Sequence, residues 1–181
     1  LRHDPRIVFL LIGSGHRNDQ LAKLVQSRGL AAQFRFLPYQ ERAQLKYSLA
    51  AADLHWLSLK PALEGLIVPS KFYGIAAAGR PTIAITAADG EIANLVRVNN
   101  CGRVIEPGAS EKLAATILEL SRSPEQLATM GRNARAVLDA QFTRRAALRR
   151  WSTVLEEVGM PLVSNAAPLR DPSQAIFPVR D

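Results

Sequence analysis

The strongest constraint on this chain is an alternation. Short apolar runs end in glycine or proline loops, and each is followed by a stretch with helical spacing. Ile7–Ile12 is a continuous apolar run that ends in Gly13-Ser14-Gly15. Asp19–Arg28 follows, with Leu21, Leu24 and Val25 at helical spacing, and Gly29 closes it. The pattern then repeats: strand Phe34–Leu37 stopped by Pro38, helix Glu41–Ala52, strand Leu54–Leu59, and a short helix opening at Ser70. Strand Thr82–Ile85, helix Gly90–Val98 and strand Gly102–Ile105 come next. Three helices complete the series, over Ser110–Ser121, Pro124–Ala140 and Thr143–Val158. Ser110 and Ser123 are the expected N-caps of the first two, Ser123 with proline at the first helical position.

Uninterrupted apolar strands belong in a sheet buried on both faces, and strand–helix alternation makes that sheet parallel. Right-handed crossovers place helices on either side, so the expected fold is a doubly wound, Rossmann-like α/β domain. Ligands of such sheets bind beyond the C-terminal ends of the strands. The loops at Gly13–Gly15, Pro38–Tyr39 and Glu64–Gly65 all lie there, which predicts a single binding rim.

At 181 residues the chain is long enough for one self-sufficient domain. The domain is read as 1–159. From Met160 on, Pro161, Pro168, Pro172 and Pro178 interrupt any period, and 160–181 reads as an extended or partly disordered tail. No apolar run reaches the ~18 residues that a transmembrane helix needs. The chain begins Leu-Arg-His-Asp, without Met or a signal-peptide pattern, and is read as a fragment of a longer protein. Cys101 is the one cysteine and has no internal disulfide partner, consistent with a cytoplasmic setting. The excess of 23 basic over 16 acidic residues favours anionic partners. Only 6% of residues are aromatic and no basic–aromatic stripe is present, which disfavours a nucleic-acid-binding α/β domain.

The chemistry is concentrated in Glu64–Pro81. A carboxylate stands at a loop entrance, Pro69 and Ser70 open a helix, and Gly79 and Pro81 close it. A helix start presents backbone N–H groups and positive dipole, a seat for a phosphate or diphosphate. A neighbouring carboxylate accepts hydrogen bonds from hydroxyls, so the pair suits a sugar carried on a nucleotide diphosphate. Lys71 adds a mobile positive charge near the phosphate. Gly13-Ser14-Gly15 is half of a dinucleotide fingerprint. Position 18 is Asn where the third glycine would stand, and no acidic residue stands at the right place after the next strand to hold a ribose, which argues against NAD. His3, His16 and His55 are dispersed, so neither a metal set nor a resident cofactor is expected.

With these residues the chain resembles the donor-binding half of retaining GT-B glycosyltransferases of the family 4 type. Glu64-Gly65, Pro69 and Ala78-Gly79-Arg80-Pro81 match the family's order of motifs, and Pro-Ser-Lys at 69–71 is similar to the branch that makes bacterial surface polysaccharide. The resemblance spans Ile7 to Val158. It implies that Glu64 lies beside the donor sugar as the catalytic candidate. It implies that Gly65, Leu66, Ile67 and Val68 offer backbone groups to sugar or phosphate, followed by Pro69, Ser70 and Lys71. It places Gly13 and Gly15 in a donor-binding loop, Pro38 and Tyr39 at the nucleotide base, and Glu91 in a second acidic loop. It implies transfer of a hexose or N-acetylhexosamine-type sugar to a saccharide or lipid-linked acceptor, by a fragment inactive on its own.

Two departures accompany the match. The family's second glutamate falls on Phe72, and the alternative position used in the Pro-Ser-Lys branch falls on Gly74. The arginine–lysine pair that the family uses on the diphosphate would precede Leu1, as would the first strand and the N-terminal domain. A non-catalytic half of a transferase is therefore the rival expectation. Exposed sheet edges would promote self-association. The last helix carries Leu148, Trp151, Leu155 and Val158 on one face beside Arg144, Arg145, Arg149 and Arg150. That pattern fits an amphipathic helix packed on the domain, or a peripheral contact with an anionic membrane face.

Overall fold

A computed structural model describes residues 1 and 4–159. They contain five short strands and seven α-helices: β1 (Phe9–Ile12), α1 (Asn18–Ser27), β2 (Phe34–Leu37), α2 (Leu45–Ala50), β3 (His55–Ser58), α3 (Lys71–Ala77), β4 (Thr82–Ile85), α4 (Glu91–Val98), β5 (Gly102–Ile105), α5 (Ser110–Ser121), α6 (Pro124–Gln141) and α7 (Arg144–Glu157). The order matches the expected alternation. All strand pairs are parallel.

The chain divides into two compact units, Leu1–Phe142 and a second beginning at Thr143. This division falls before the 159/160 boundary read from the sequence. The expected tail, 160–181, lies outside the described residues.

The hydrogen-bonded strands form two sheets, β1–β2 and β3–β4–β5, where one continuous sheet was expected. Both sheets are parallel with helical connections, as a doubly wound fold requires. Phe9 of β1 and Trp56 of β3 still meet, their ring centroids 5.7 Å apart.

The three-stranded sheet is covered on both faces, with period two along its strands. Leu57 and Ala84 point into one core with Phe72, Ile75 and Ala76 of α3, Ile92 and Val96 of α4, and Ala134 of α6. Ile83 and Ile105 point into the other, with Ile117 of α5 and Ile7. Helix α3 ends where Gly79 turns to a φ of +65°, a left-handed cap conformation that side chains disfavour. The Gly79 and Arg80 N–H groups donate back to Ala76 and Ile75. Helix α6 crosses this end so closely that a Cβ on Gly131 would collide with the Gly79 carbonyl. Arg135 of α6 donates to the Ala77 carbonyl at 2.9 Å.

In the two-stranded sheet β1 and β2 read half-buried and exposed by turns. Phe9 and Phe34 stack at 4.8 Å in register. The buried amide of Gln33 donates to the carbonyls of Leu1 at 2.9 Å and Asp4 at 3.0 Å, tying down the segment before β1. Ile7 belongs to that segment rather than to the strand, which begins at Phe9.

Several expected caps differ. Ser123 holds the N-cap position of α6 without a side-chain hydrogen bond, and Ala109, not Ser110, precedes α5. Thr143 does cap α7, accepting from the Ala146 N–H at 3.2 Å. Helix α2 is shorter than expected, because Arg42–Gln44 form a 3₁₀ turn before it.

Candidate functional site

The loop after β3 carries Glu64. Pro61–Leu63 form a 3₁₀ turn, and the N–H of Glu64 donates to the Pro61 carbonyl at 3.1 Å. Gly65 then takes a φ of +76°, and the N–H groups of Leu66 and Ile67 fold back onto the Leu63 carbonyl at 3.1 and 3.3 Å. This compact turn leaves Glu64 half-buried and sets Leu66, Ile67 and Val68 in solvent, 74%, 51% and 51% exposed. Two of the backbone N–H groups that the sequence offers to a ligand are therefore engaged with Leu63.

The Glu64 carboxylate turns toward the loop after β4. The hydroxyl of Thr86, fully buried, donates a short hydrogen bond to Glu64 Oε1. Gly90 closes the other side. A Cβ there would stand 2.7 Å from the Glu64 carboxyl carbon and would collide with Oε1. Neither Thr86 nor Gly90 stands out as a site residue in the sequence. No local spacing links them to Glu64. The readable signal is topological: β3 and β4 are adjacent parallel strands, so the loops at their C-terminal ends lie side by side.

Helix α3 starts one residue beyond Ser70. Ser70 holds the N-cap position, and its side chain makes no capping hydrogen bond. The N–H groups of Phe72 and Tyr73 donate to the carbonyls of Pro69 at 3.0 Å and Ser70 at 3.2 Å. Lys71 is exposed at the first position of the helix. Phe72, where the resembling family has a carboxylate, is 1% exposed and lies in the core. A Cβ on Gly74, the alternative carboxylate position, would meet Leu49 of α2 at 3.3 Å.

Glu91 opens α4, exposed in its first turn where a negative charge complements the helix dipole. Tyr73 is shifted toward a higher pKa, mainly by burial and further by the negative charge of Glu91. Its ring packs on Phe142 at 4.9 Å.

Gly13, Gly15, Pro38 and Tyr39 lie at the C-terminal end of the two-stranded sheet. The Gly13 N–H donates to Leu37, and the Asn18 side chain donates to the Gly13 carbonyl at 3.0 Å. The Asn18 N–H donates to the Gly15 carbonyl at 2.9 Å. Asn18, at the place of the missing third glycine, thus closes this turn on itself. The Pro38 carbonyl accepts from the Gln40 side chain at 2.9 Å, and Tyr39 is 79% exposed.

Cys101 is buried, and burial pushes its thiol up to about 11, which makes it inert. Among the described residues no three His, Cys, Asp or Glu side chains gather as a metal set, and no helix is long and apolar enough to cross a membrane. Helix α7, described by itself, exposes Leu148, Trp151 and Val154, and Val158 at its C-cap is exposed as well. Arg144, Arg145, Leu148 and Arg149 line a shallow groove on it.

Residues 1–137 match the family model described as glycosyl transferases group 1. The chain is 26% identical over 163 residues to the probable glycosyltransferase WbjE of Pseudomonas aeruginosa, covering 90% of this chain and 39% of that protein. It is 24% identical over 152 residues to the amylovoran biosynthesis glycosyltransferase AmsK of Erwinia amylovora, covering 83% of this chain and 37% of that protein. Among solved structures it is similar to Anabaena Alr3699/HepE in complex with UDP, with a TM-score of 0.69 and 22% identity over 85% of this chain and 42% of that one. The complex of the same protein with UDP-glucose gives a TM-score of 0.68 at 21% identity, with the same coverage of both chains. The chain thus spans about two-fifths of the length of the relatives it matches.

Proposed function

The chain belongs to the glycosyl transferases group 1 family and has a GT-B type fold, and from this premise we propose that it is the donor-binding half of a glycosyltransferase. The reading is carried by one observation: the Glu64 carboxylate is held at the C-terminal ends of β3 and β4, one loop ahead of the α3 start. The intact enzyme moves a hexose or N-acetylhexosamine-type sugar, with retention, from a nucleotide diphosphate to a saccharide or lipid-linked acceptor. Glu64 orients the sugar through its hydroxyls. The departing diphosphate lies against the amino end of α3, where the helix dipole and Lys71 meet its charge. Pro38 and Tyr39 face the base, and Gly13, Gly15 and Glu91 border the donor. No resident metal enters this chemistry.

UDP, present in the HepE complexes, is the first candidate nucleotide. The naming of AmsK for amylovoran biosynthesis supports a role in surface polysaccharide. Such a role fits work at the cytoplasmic membrane face, with the arginines and exposed Trp151 of α7 as the peripheral contact. The partner is an N-terminal GT-B domain. Without it this chain binds the nucleotide sugar poorly and transfers nothing, and the edges of β1 and β3, unpaired among the described residues, favour self-association. Sedimentation showing only monomer at high concentration would count against that last point.

A second reading, a non-catalytic half acting only with another chain, is favoured by Phe72 in the core and Gly74 against Leu49, where carboxylates are expected. Calorimetric titration with UDP, GDP and ADP at low and high salt separates the two. Salt-tolerant binding of one diphosphate, weakened by Glu64→Ala or Lys71→Ala, supports the transferase half. Absence of binding to all three favours the non-catalytic reading.

A further inference from the structure

The surroundings of Glu64 say more than that it is near a ligand. Its carboxylate has two walls, and both belong to the loop 86–90. One is the Thr86 hydroxyl at the end of β4, which donates to Oε1 from a fully buried position. The other is Gly90, whose missing Cβ is the space that the carboxyl group fills. With a φ of −64° Gly90 is in ordinary extended backbone, so an alanine there fits the backbone, and the three atoms nearest its Cβ all belong to Glu64.

The loop itself is fastened at both ends and from below. The Thr86 N–H donates to the Ile105 carbonyl at 3.1 Å, extending the β4–β5 ladder by one residue. The Gly90 N–H donates to Ala87 at 3.2 Å. From α4, Asn94 donates to the Asp89 carbonyl at 3.2 Å, and Arg97 donates to the Ala88 carbonyl. Arg97 is in turn braced on Asn94 Oδ1 at 2.8 Å. A side chain on a compact turn is thereby gripped by a loop that α4 holds still. This is the arrangement that fixes a carboxylate in one direction before a ligand arrives.

We infer that Thr86 and Gly90 are positioning residues: they aim the Glu64 carboxylate at the donor sugar, and so set preference for the sugar-bearing nucleotide over the bare diphosphate. The inference rests on the donor-binding reading of this site. Its physical content is a division of labour. The diphosphate is held by the α3 start and Lys71, which the seat does not touch. The sugar hydroxyls are met by Glu64, whose direction the seat controls. Loosening the seat therefore lowers affinity for the sugar nucleotide and leaves the nucleotide alone.

The test titrates the full chain with UDP and with UDP-glucose. Thr86→Val keeps the shape of the buried side chain and removes the hydroxyl. The expected result is a fall of roughly tenfold in UDP-glucose affinity with UDP affinity unchanged. Thr86→Ser restores the preference, and Gly90→Ala abolishes it. If the parent chain prefers UDP-glucose and Thr86→Val keeps that preference, the inference is overturned while the donor-binding reading stands. An equal loss for both ligands also overturns it. If the parent chain binds neither ligand, the donor-binding reading fails, and the seat is read instead from the ¹³C carboxyl resonance of Glu64 without ligand. That resonance moves in Thr86→Val and returns in Thr86→Ser where the seat exists, and an unmoved resonance overturns it.

Discussion

The two sheets of the first unit are built from similar sequence and end up in different physical situations. The β3–β4–β5 sheet is sandwiched: Ile83, Ala84 and Ile105 are almost wholly out of solvent, with helices over both faces. The β1–β2 sheet is thin, and Leu10, Ile12 and Leu37 remain 37% or more exposed. Apolar runs of the same length give a rigid platform in one place and a half-covered ribbon in the other. The difference lies in how many helices pack on each sheet, which the strands' own sequence does not encode. It also sorts the candidate site. Glu64, Thr86 and Gly90 sit on the platform, while Gly13, Gly15, Pro38 and Tyr39 sit on the ribbon.

The sharpest way to break this comparison is to remove matched apolar bulk from each side. Leu57→Ala empties the packed core and should cost about 2–5 kcal/mol in denaturant unfolding. Leu10→Ala on the ribbon should cost under about 1 kcal/mol, since much of that side chain already meets water. Equal losses would mean that the two sheets are equally packed. Next in size is Gln33→Leu. It leaves the Leu1 and Asp4 carbonyls without their amide partner and should cost about 1–3 kcal/mol. Hydrogen exchange in that variant should quicken at β1 and β2 and stay unchanged at β4.

A smaller effect of opposite sign is expected at Thr82. Its hydroxyl is buried and has no hydrogen-bond partner among the described residues, so Thr82→Val should stabilise the platform by about 1 kcal/mol. A thermal midpoint that falls would show that the hydroxyl is satisfied in solution.

The smallest effect is a pH dependence. His55 at the start of β3 is held below its usual pKa of 6.5 by burial and by the positive charge of Arg80, against the opposing pull of the Leu49 carbonyl. The folded chain therefore binds this proton less readily than the unfolded chain. The stability His55 contributes is full above pH 6.5 and is lost as pH falls below it through the lower folded value. Urea midpoints should drop between pH 7 and pH 5, and His55→Gln should flatten that part of the drop.

Much of this fold was legible because strand and helix periods are local. β2, β4, β5 and α5 fall on the expected residues. The split into two sheets was not legible, since it depends on which strand edges find a partner. The caps were misjudged because Ser110 falls one residue inside α5, and because Ser123, in the N-cap position of α6, makes no bond there, capping being a matter of side-chain rotamer. In the site, Glu64 and the α3 start are marked by residue type and order. Thr86 and Gly90 are not. They matter through a contact between loops 22 and 26 residues from Glu64, and a threonine ending a β-branched strand looks like more of the strand.

Gly131 anchors the carboxyl end of α3. Backbone meets backbone where α6 crosses Gly79, and Arg135 grips the Ala77 carbonyl beside it. At the crossing itself there is no room for a side chain, and beside it Phe72, Ile75 and Ala76 of α3 pack in one core with Ala134 of α6. Helix α6, 18 residues and about 27 Å long, is thereby fixed against the carboxyl end of α3. The helix that would take up a diphosphate thereby has the longest element of the described chain as its footing.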